Sequence, residues 1–521
     1  MLNTTPFSPF EKGFLWFFLC LVVFAFYYQL GIYPLFLEEP RRGLIALEMM
    51  MQDNYWVPTQ TGDLYFRKPP LYNWLLILSY KVFGVNEWAT RFFSVSSHLL
   101  LGLITYLFSK RYLGNALAVL VAFSYLLAVD ILVYFSALGE IDLFYALLTT
   151  PILFGIFHYG EKGSYLKLFL LVYGLTALAF LTKGLSALPF TGISLLVYFS
   201  WKKRFRELFF WRHWLGVLLF SVLVGGYFYK YSQYEEVSGW WTTLFSESAE
   251  KATGGGFSKW INHLIAFPLD TLKNLLPATF FLPVIFRKQI IQLLKANRLV
   301  WYGVLVFLSN FAVYWLSTEG RSRYIYPLFP FACLVLIYAG ELSGVRWKDK
   351  YLRAVSIVCA GLMIIAFAAI PFLPSLEAVD NRWVITGVGV FLLSMLLGIT
   401  LKGRVRPYLA VLAVLCVLRL GFSFIVPQTR EKTTGAAKDK ALATEFALLT
   451  EGKPLYRLGD VRMSLTVVFY LERERGEVLK QKGEFSQGYF FCYTEDLPTT
   501  YQPVGELSYH GEPIYLIRYT P

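Results

Sequence analysis

Acidic and basic side chains alternate in one stretch near the N-terminus: Glu38-Glu39-Pro40-Arg41-Arg42-Gly43, then Glu48-Met49-Met50, then Tyr65-Phe66-Arg67-Lys68-Pro69-Pro70. A carboxylate can take the proton of an attacking group, and nearby cations can hold a phosphate as it leaves. Transfer of a sugar from a lipid phosphate needs both. Further charges at Glu140, Asp142, Lys183, Arg321 and Arg323 stand at the ends of apolar runs, where an ionisable group is costly unless paired, hydrated or used.

The elements that position these residues follow from composition. The 521 residues are 56% hydrophobic, 18% aromatic and 16% charged, a membrane balance. Apolar runs long enough to cross about 30 Å of hydrocarbon recur along the chain. Spans are expected at 14–33, 91–109, 115–135, 141–158, 165–181, 185–200, 213–230, 268–286, 298–316, 324–340, 353–372, 383–400 and 406–426, about thirteen in all. The segment Leu71 to Gly84 is too short to span, and its Tyr72, Trp74 and Tyr80 suit the headgroup level.

With that segment on the surface, every Lys/Arg cluster falls on one side: Lys110-Arg111, Lys162 to Lys167, Lys202 to Arg206, Arg287-Lys288, Arg346 to Arg353 and Lys402 to Arg406. Basic loops stay in the cytoplasm, so the N-terminus is expected inside, in an inner membrane, and the tail 427–521 outside, in the periplasm. The first run lacks a small-residue cleavage site and reads as a retained anchor. The long loop 34–90, with its juxtamembrane helices, then faces outward as part of a membrane unit 1–426.

The net charge of +13 forms no continuous basic face, so topology explains it and no nucleic-acid partner is expected. The five cysteines show no metal or redox spacing. The tail reads as a small α/β domain: helices at Ala437–Leu449 and Ser464–Glu472, strands at Leu455–Leu458, Gly488–Tyr493 and Pro513–Tyr519. It carries no catalytic constellation; acceptor contact or capping of the membrane part would suit it. His263, ahead of Pro268, is a candidate ligand or acid-base group, although a lone histidine is more often structural. The run Gly254-Gly255-Gly256 reads as a loop hinge, because no strand-to-helix context makes it a phosphate cradle.

The motifs Glu38-Glu39-Pro40-Arg41, Glu48-Met49 and Tyr65-Phe66-Arg67-Lys68-Pro69 resemble the first outer loop of aminoarabinose transferases and protein O-mannosyltransferases, which reads roughly DExRYA, REM and YFEKP. The likeness continues through Gly139-Glu140-Ile141-Asp142, Leu181-Thr182-Lys183-Gly184 and Arg321-Ser322-Arg323-Tyr324-Ile325-Tyr326-Pro327. It implies a C-type (GT-C) glycosyltransferase using a polyprenyl-phosphate sugar donor and a lipid A, glycan or protein acceptor. By resemblance, Glu38 matches the catalytic carboxylate, with Glu39 the fallback, and Arg41, Lys68, Arg321 and Arg323 match positions near the donor phosphate. Asp142 matches the acid of the second outer loop, with Glu140 its rival, and Lys183 is either functional or a break between helices.

Arg67 departs from the pattern, standing where aminoarabinose-type relatives carry glutamate. With that acid gone, and neither an H-E-x-x-H motif nor a dense Asp cluster outside, the reaction is expected to be metal-independent. A transporter or lipid flippase would also place charge beside a membrane cavity. Such folds show related halves and midplane sites, whereas here no repeat is evident and the charge gathers at one surface.

Overall fold

A computed structural model describes residues 5–253, 256–287 and 289–520; Gly254 and Gly255 of the expected hinge, and Lys288 of one basic cluster, lie outside them. Helices dominate up to residue 449: α1 (Pro9–Tyr27), α2 (Glu39–Met51), α3 (Leu71–Phe83), α4 (Glu87–Leu113), α5 (Asn115–Leu126), α6 (Val129–Val133), α7 (Ile141–Glu161), α8 (Tyr165–Lys183), α9 (Ala187–Trp201), α10 (Trp211–Tyr231), α11 (Ser238–Thr253), α12 (Phe257–Asn274), α13 (Leu282–Ile285), α14 (Ile290–Lys295), α15 (Arg298–Trp315), α16 (Phe329–Glu341), α17 (Lys348–Ala369), α18 (Arg382–Leu401), α19 (Pro407–Thr433) and α20 (Gly435–Leu449). A short hairpin, β1 (Thr59–Gln60) and β2 (Asp63–Leu64), interrupts the first long loop.

Local chemistry explains several boundaries. Ser8 and Glu11 form a reciprocal capping box at the start of α1, and Glu11 also accepts from the Arg406 backbone at 3.1 Å, joining the two chain segments at that face. Asn86 caps α4 and Asn297 caps α15. The helix α3 is 13 residues long, shorter than a span, and stops at Gly84 with φ of 79°.

Among the described residues, ten helices are long and apolar enough to cross a membrane, or eleven with a bent pair counted as one. Two features account for the expectation of about thirteen. The 37-residue stretch Tyr165–Trp201 counts once, yet Thr176 and Thr191 bond through their hydroxyls at 2.6 Å, where a straight helix would hold them about 22 Å apart. The chain therefore turns back at Gly184, and α8 and α9 are antiparallel passes.

The second is the span expected at 268–286, which the structure breaks. Its first part is α12, tied to the end of α15 by the Trp260 indole, which donates to Leu316 O at 3.3 Å; after a 3-10 turn at Ala278–Phe281 it continues as α13, and Arg287 then donates to Ser343 O. The segment is too interrupted to form one helix of span length.

The span expected at 115–135 is likewise two helices, α5 and α6, bent by 47°. The backbone N–H freed at the break, Val129, donates to Leu276 O at 3.0 Å, as an apolar surrounding requires. The bend aims α6 at the face that carries the first loop.

On that same face sits the C-terminal unit. Strands β3 (Leu455–Leu458), β4 (Lys480–Lys482), β5 (Gly488–Tyr493), β6 (Gln502–Tyr509) and β7 (Glu512–Tyr519) form a mixed sheet in the order β4-β3-β5-β7-β6, with helix α21 (Leu465–Arg475) packed on α20. The two outer strands, β4 and β6, lack the apolar alternation that marks the others, being largely exposed. The unit shares a core with the loop: Leu35, Leu44 and Leu47 pack with Val467, Phe469 and Leu471. A Cβ at Gly43 would lie 2.9 Å from the Phe469 ring and from Tyr80 Oη, so only glycine lets α2 approach this closely.

Candidate active site

The first long loop turns into α2 at Leu37, whose φ is 58°, and Glu38 is the residue before the helix. Successive carboxylates then point opposite ways. Glu39 is fully buried: Arg91 Nε and Nη2 donate to its two oxygens at 2.7 and 2.9 Å, and Gly139 N donates to Oε1 at 2.6 Å. Gly139 must be glycine, since a Cβ there would meet Thr90 O at 2.9 Å. Arg91 also donates to the carbonyls of Leu30, Tyr33 and Pro34. This is a saturated internal joint, and it corrects the reading of Glu39 as a fallback base: neither oxygen is open.

Glu38 is one-third exposed, and both of its arginines, Arg41 at 2.5 Å and Arg42 at 3.8 Å, approach Oε2. The other oxygen is left for something else. Arg42 is buried and donates to Tyr65 Oη at 3.2 Å. Burial opposes its charge, but Tyr65, Glu140 and Glu38 outweigh burial and hold its pKa above the usual value.

Glu140 precedes α7, buried, 3.6 Å from Arg323 Nη1. Burial, reinforced by the neighbouring Asp142, pushes its pKa up to about 7, against the opposing pull of Arg42 and Arg323. Asp142, in the first turn of α7, meets Lys183 Nζ at 2.5 Å and Arg323 Nε at 3.9 Å. Lys183 in turn lies over the rings of Tyr145 and Tyr324 at 5.0 and 4.5 Å. Its position at the α8–α9 turn therefore has a structural cause, a buried ion pair.

A cavity of about 430 Å³ opens among these elements, lined by Glu38, Asp130, Glu140, Arg321 and Arg323 together with Leu37, Tyr134, Phe135, Leu138 and Ser322. Thus Glu38, Glu140, Arg321 and Arg323 come together as the motifs suggested, with Arg41 one residue-contact behind Glu38 and Asp142 behind Arg323. Asp130 was not anticipated. It accepts from Tyr326 Oη at 2.6 Å, and its one signal in sequence was a lone acid inside an apolar run.

Three candidates lie elsewhere. Lys68 is half-buried with its ammonium on the carbonyl of Arg67 at 2.8 Å, Arg67 is exposed, and neither lines the cavity. His263 Nε2 meets Tyr314 O at 3.1 Å, fastening α12 to α15. For a divalent metal, no group of three or more His, Cys, Asp or Glu among the described residues is arranged to hold one, and of the cavity acids Glu38 and Glu140 face arginines and Asp130 faces Tyr326. The residues present do not fit such an ion.

Known proteins share this architecture. A family model described as dolichyl-phosphate-mannose-protein mannosyltransferase matches residues 67–226. An uncharacterised protein of Aquifex aeolicus is 23% identical over 61% of this chain and 57% of its own length. The undecaprenyl phosphate-alpha-4-amino-4-deoxy-L-arabinose arabinosyl transferase of Shewanella sediminis is 24% identical over 68% of this chain and 65% of its own. The chain thus spans somewhat less than two-thirds of these curated relatives. The crystal structure of ArnT from Cupriavidus metallidurans bound to undecaprenyl phosphate superposes with a TM-score of 0.72 at 19% identity, over 97% of this chain and 98% of that one. With its multi-pass helical bundle and small C-terminal sheet domain, the chain has the fold of that ArnT structure along nearly its whole length.

Proposed function

We propose that this protein is a glycosyltransferase that moves a sugar from a polyprenyl phosphate, such as undecaprenyl phosphate, to a lipid A, glycan or protein acceptor at the outer face of an inner membrane. The observation that carries the reading is the cavity: Glu38, whose two arginines both approach Oε2, lines the same 430 Å³ space as Arg321 and Arg323. A proton acceptor and phosphate-holding cations thus share one site.

In this mechanism Arg321 and Arg323 hold the donor phosphate, with Arg41 behind Glu38. The Nε atoms of Arg41 and Arg323 are buried without a hydrogen-bond partner, a cost that an anionic ligand would relieve. An acceptor oxygen attacks the anomeric carbon, Glu38 takes its proton, and the bond to the phosphate breaks with its electron pair leaving on the carrier. Residues 1–426 supply the chemistry, and 427–521 brace the loop that holds Glu38. The N-terminus stays in the cytoplasm, so the basic clusters lie inside and the cavity opens to the periplasm.

The test incubates detergent-purified protein with synthetic polyprenyl-phosphate sugars and a lipid and periplasmic extract, following release of free polyprenyl phosphate by mass spectrometry. Release that requires both extract and Glu38 is expected. No release from any donor overturns the reading in favour of a transporter.

A further inference from the structure

We propose a second ligand site, apart from the cavity that Glu38 lines: a groove between α1, α4 and α5 that binds an anionic phospholipid from the leaflet opposite the candidate active site.

The groove has a volume of about 440 Å³, within the range of about 300–1,000 Å³ common to small-molecule sites. Leu15 and Leu19 of α1, Leu99 of α4, and Val119 and Phe123 of α5 give it an apolar body. Gly102, also in the lining, lets α4 come this close to α5, since a Cβ there would lie 2.5 Å from Leu126 Cδ2. Trp16 and Leu103 line the groove too and are exposed. It therefore opens outward, to the acyl chains that surround these helices.

One end is polar and basic. Lys12, Tyr106 and Asn115 belong to the lining there. Tyr106 Oη donates to Asn115 Oδ1 at 2.8 Å, joining the end of α4 to the start of α5, and Lys110 Nζ lies 5.5 Å from the centre of the Tyr106 ring. The helix α5 begins after Gly114 without a side-chain cap, and the free amides of such a first turn add partial positive charge. This end lies across the membrane from Glu38. Arg91, paired with Glu39, and Lys110 are separated by about 28 Å of α4, close to the roughly 30 Å of a hydrocarbon core.

Charge decides which lipid fits. The acids of this face are taken: Glu11 meets Arg406 at 3.3 Å, Glu341 meets Lys348 at 2.7 Å, and Glu161 meets Lys202 and Arg298. Among the described residues no carboxylate lies within 4.0 Å of Lys12 or Lys110, and none lines the groove. A zwitterionic headgroup brings its own cation to these lysines, whereas an anionic one brings only the charge they lack. The lipid phosphate accepts from Lys12 and Lys110, and an acyl chain runs along Leu15, Leu19 and Leu99.

The experiment adds dioleoyl phosphatidylglycerol or dioleoyl phosphatidylcholine to delipidated full-length protein in detergent and reads affinity by native mass spectrometry. Phosphatidylglycerol is expected to bind about 25-fold more tightly, about fivefold for each lysine. The double variant Lys12→Gln/Lys110→Gln, at two exposed positions, should lose that advantage while phosphatidylcholine binding changes less than about twofold. Val119→Trp, which fills the apolar body, should weaken both lipids by about tenfold, the scale of two methylene groups denied burial. Arg321→Ala should bind phosphatidylglycerol as wild type does. An advantage kept in the lysine variant overturns the inference, as does wild-type protein that prefers neither lipid or a Val119→Trp variant that binds both unchanged. An advantage lost in Arg321→Ala puts the lipid in the Glu38 cavity and overturns it too. A dimer in the native spectra that Val119→Trp abolishes assigns the groove to a second copy of the chain, with the same consequence.

Discussion

Glu39 and Arg91, 52 residues apart in sequence, form a two-pronged ion pair with both side chains wholly buried. Taking two charges out of water is expensive, and their attraction repays it only when the remaining donors and lone pairs are also met. Here three carbonyls and the Gly139 amide meet them. The pair fastens the start of α2 to the start of α4 and to the chain before α7, and so fixes where Glu38 sits.

Breaking that pair should unfold the loop face before it touches chemistry. Arg91→Met or Glu39→Gln is expected to cost about 3–5 kcal/mol, the usual price of leaving a buried charge unpaired. Thermal unfolding in detergent checks it. Destabilisation below about 1 kcal/mol in both would mean that the joint is not what holds α2.

Glu38→Gln should behave in the opposite way. Loss of a general base typically costs about 10²–10⁴-fold in rate, so kcat is expected to fall by that range while the unfolding midpoint and the affinity for undecaprenyl phosphate stay near wild type. A single-turnover assay beside a binding measurement separates these quantities.

The basic residues should divide by partner. Arg321→Ala, removing a cation that faces the cavity, is expected to weaken undecaprenyl phosphate binding by about 10–100-fold, since a hydrogen bond to a charged group is worth roughly 1.5–3 kcal/mol. Lys183→Met leaves Asp142 without its 2.5 Å partner and should lower stability first. If Lys183→Met leaves stability intact and abolishes carrier binding, the residue holds phosphate instead.

A pH effect is expected from Glu48 and Glu472, which lie at the contact between α2 and α21. Glu48 accepts from Thr59 Oγ1 at 2.6 Å, Gly62 N at 3.1 Å and Thr61 N, yet burial pushes its pKa up to about 7. Burial, and then the Glu48 charge, push Glu472 well above the usual range as well. For a raised acid the folded state binds the extra proton, so its favourable contribution is greatest at low pH and is lost as pH climbs through the raised value. Thermal stability should fall from about pH 5 to pH 7 and beyond, and Glu472→Gln should flatten part of the fall. A curve as steep in the variant as in wild type would count against the pair.

The sequence shows the membrane passes because apolar length is a local property. It also shows the cavity's motif residues, Glu38, Glu140, Arg321 and Arg323, because charges at the ends of apolar runs stand out. What it hides is partnership. Nothing local distinguishes Glu38 from Glu39; the difference is made by Arg91, which sits in a helix read as an ordinary span. Asp130 is hidden for a related reason, since the bend that brings it to the cavity has neither proline nor glycine at Leu127-Ala128 to announce it. The strands β4 and β6 escaped because edge strands need not bury either face fully.

The C-terminal domain grips the first loop by Tyr470 Oη, which accepts from Leu35 N at 2.8 Å and donates to Glu87 at 2.9 Å, and by Lys440, which meets Glu87 at 2.6 Å. A ribosome makes residue 35 some four hundred residues before residue 470. The loop that carries Glu38 therefore lacks this brace until α20 and α21 have been made and have docked on it. A chain that stops anywhere before α21 lacks the Tyr470 contacts to Leu35 and Glu87 that hold this loop.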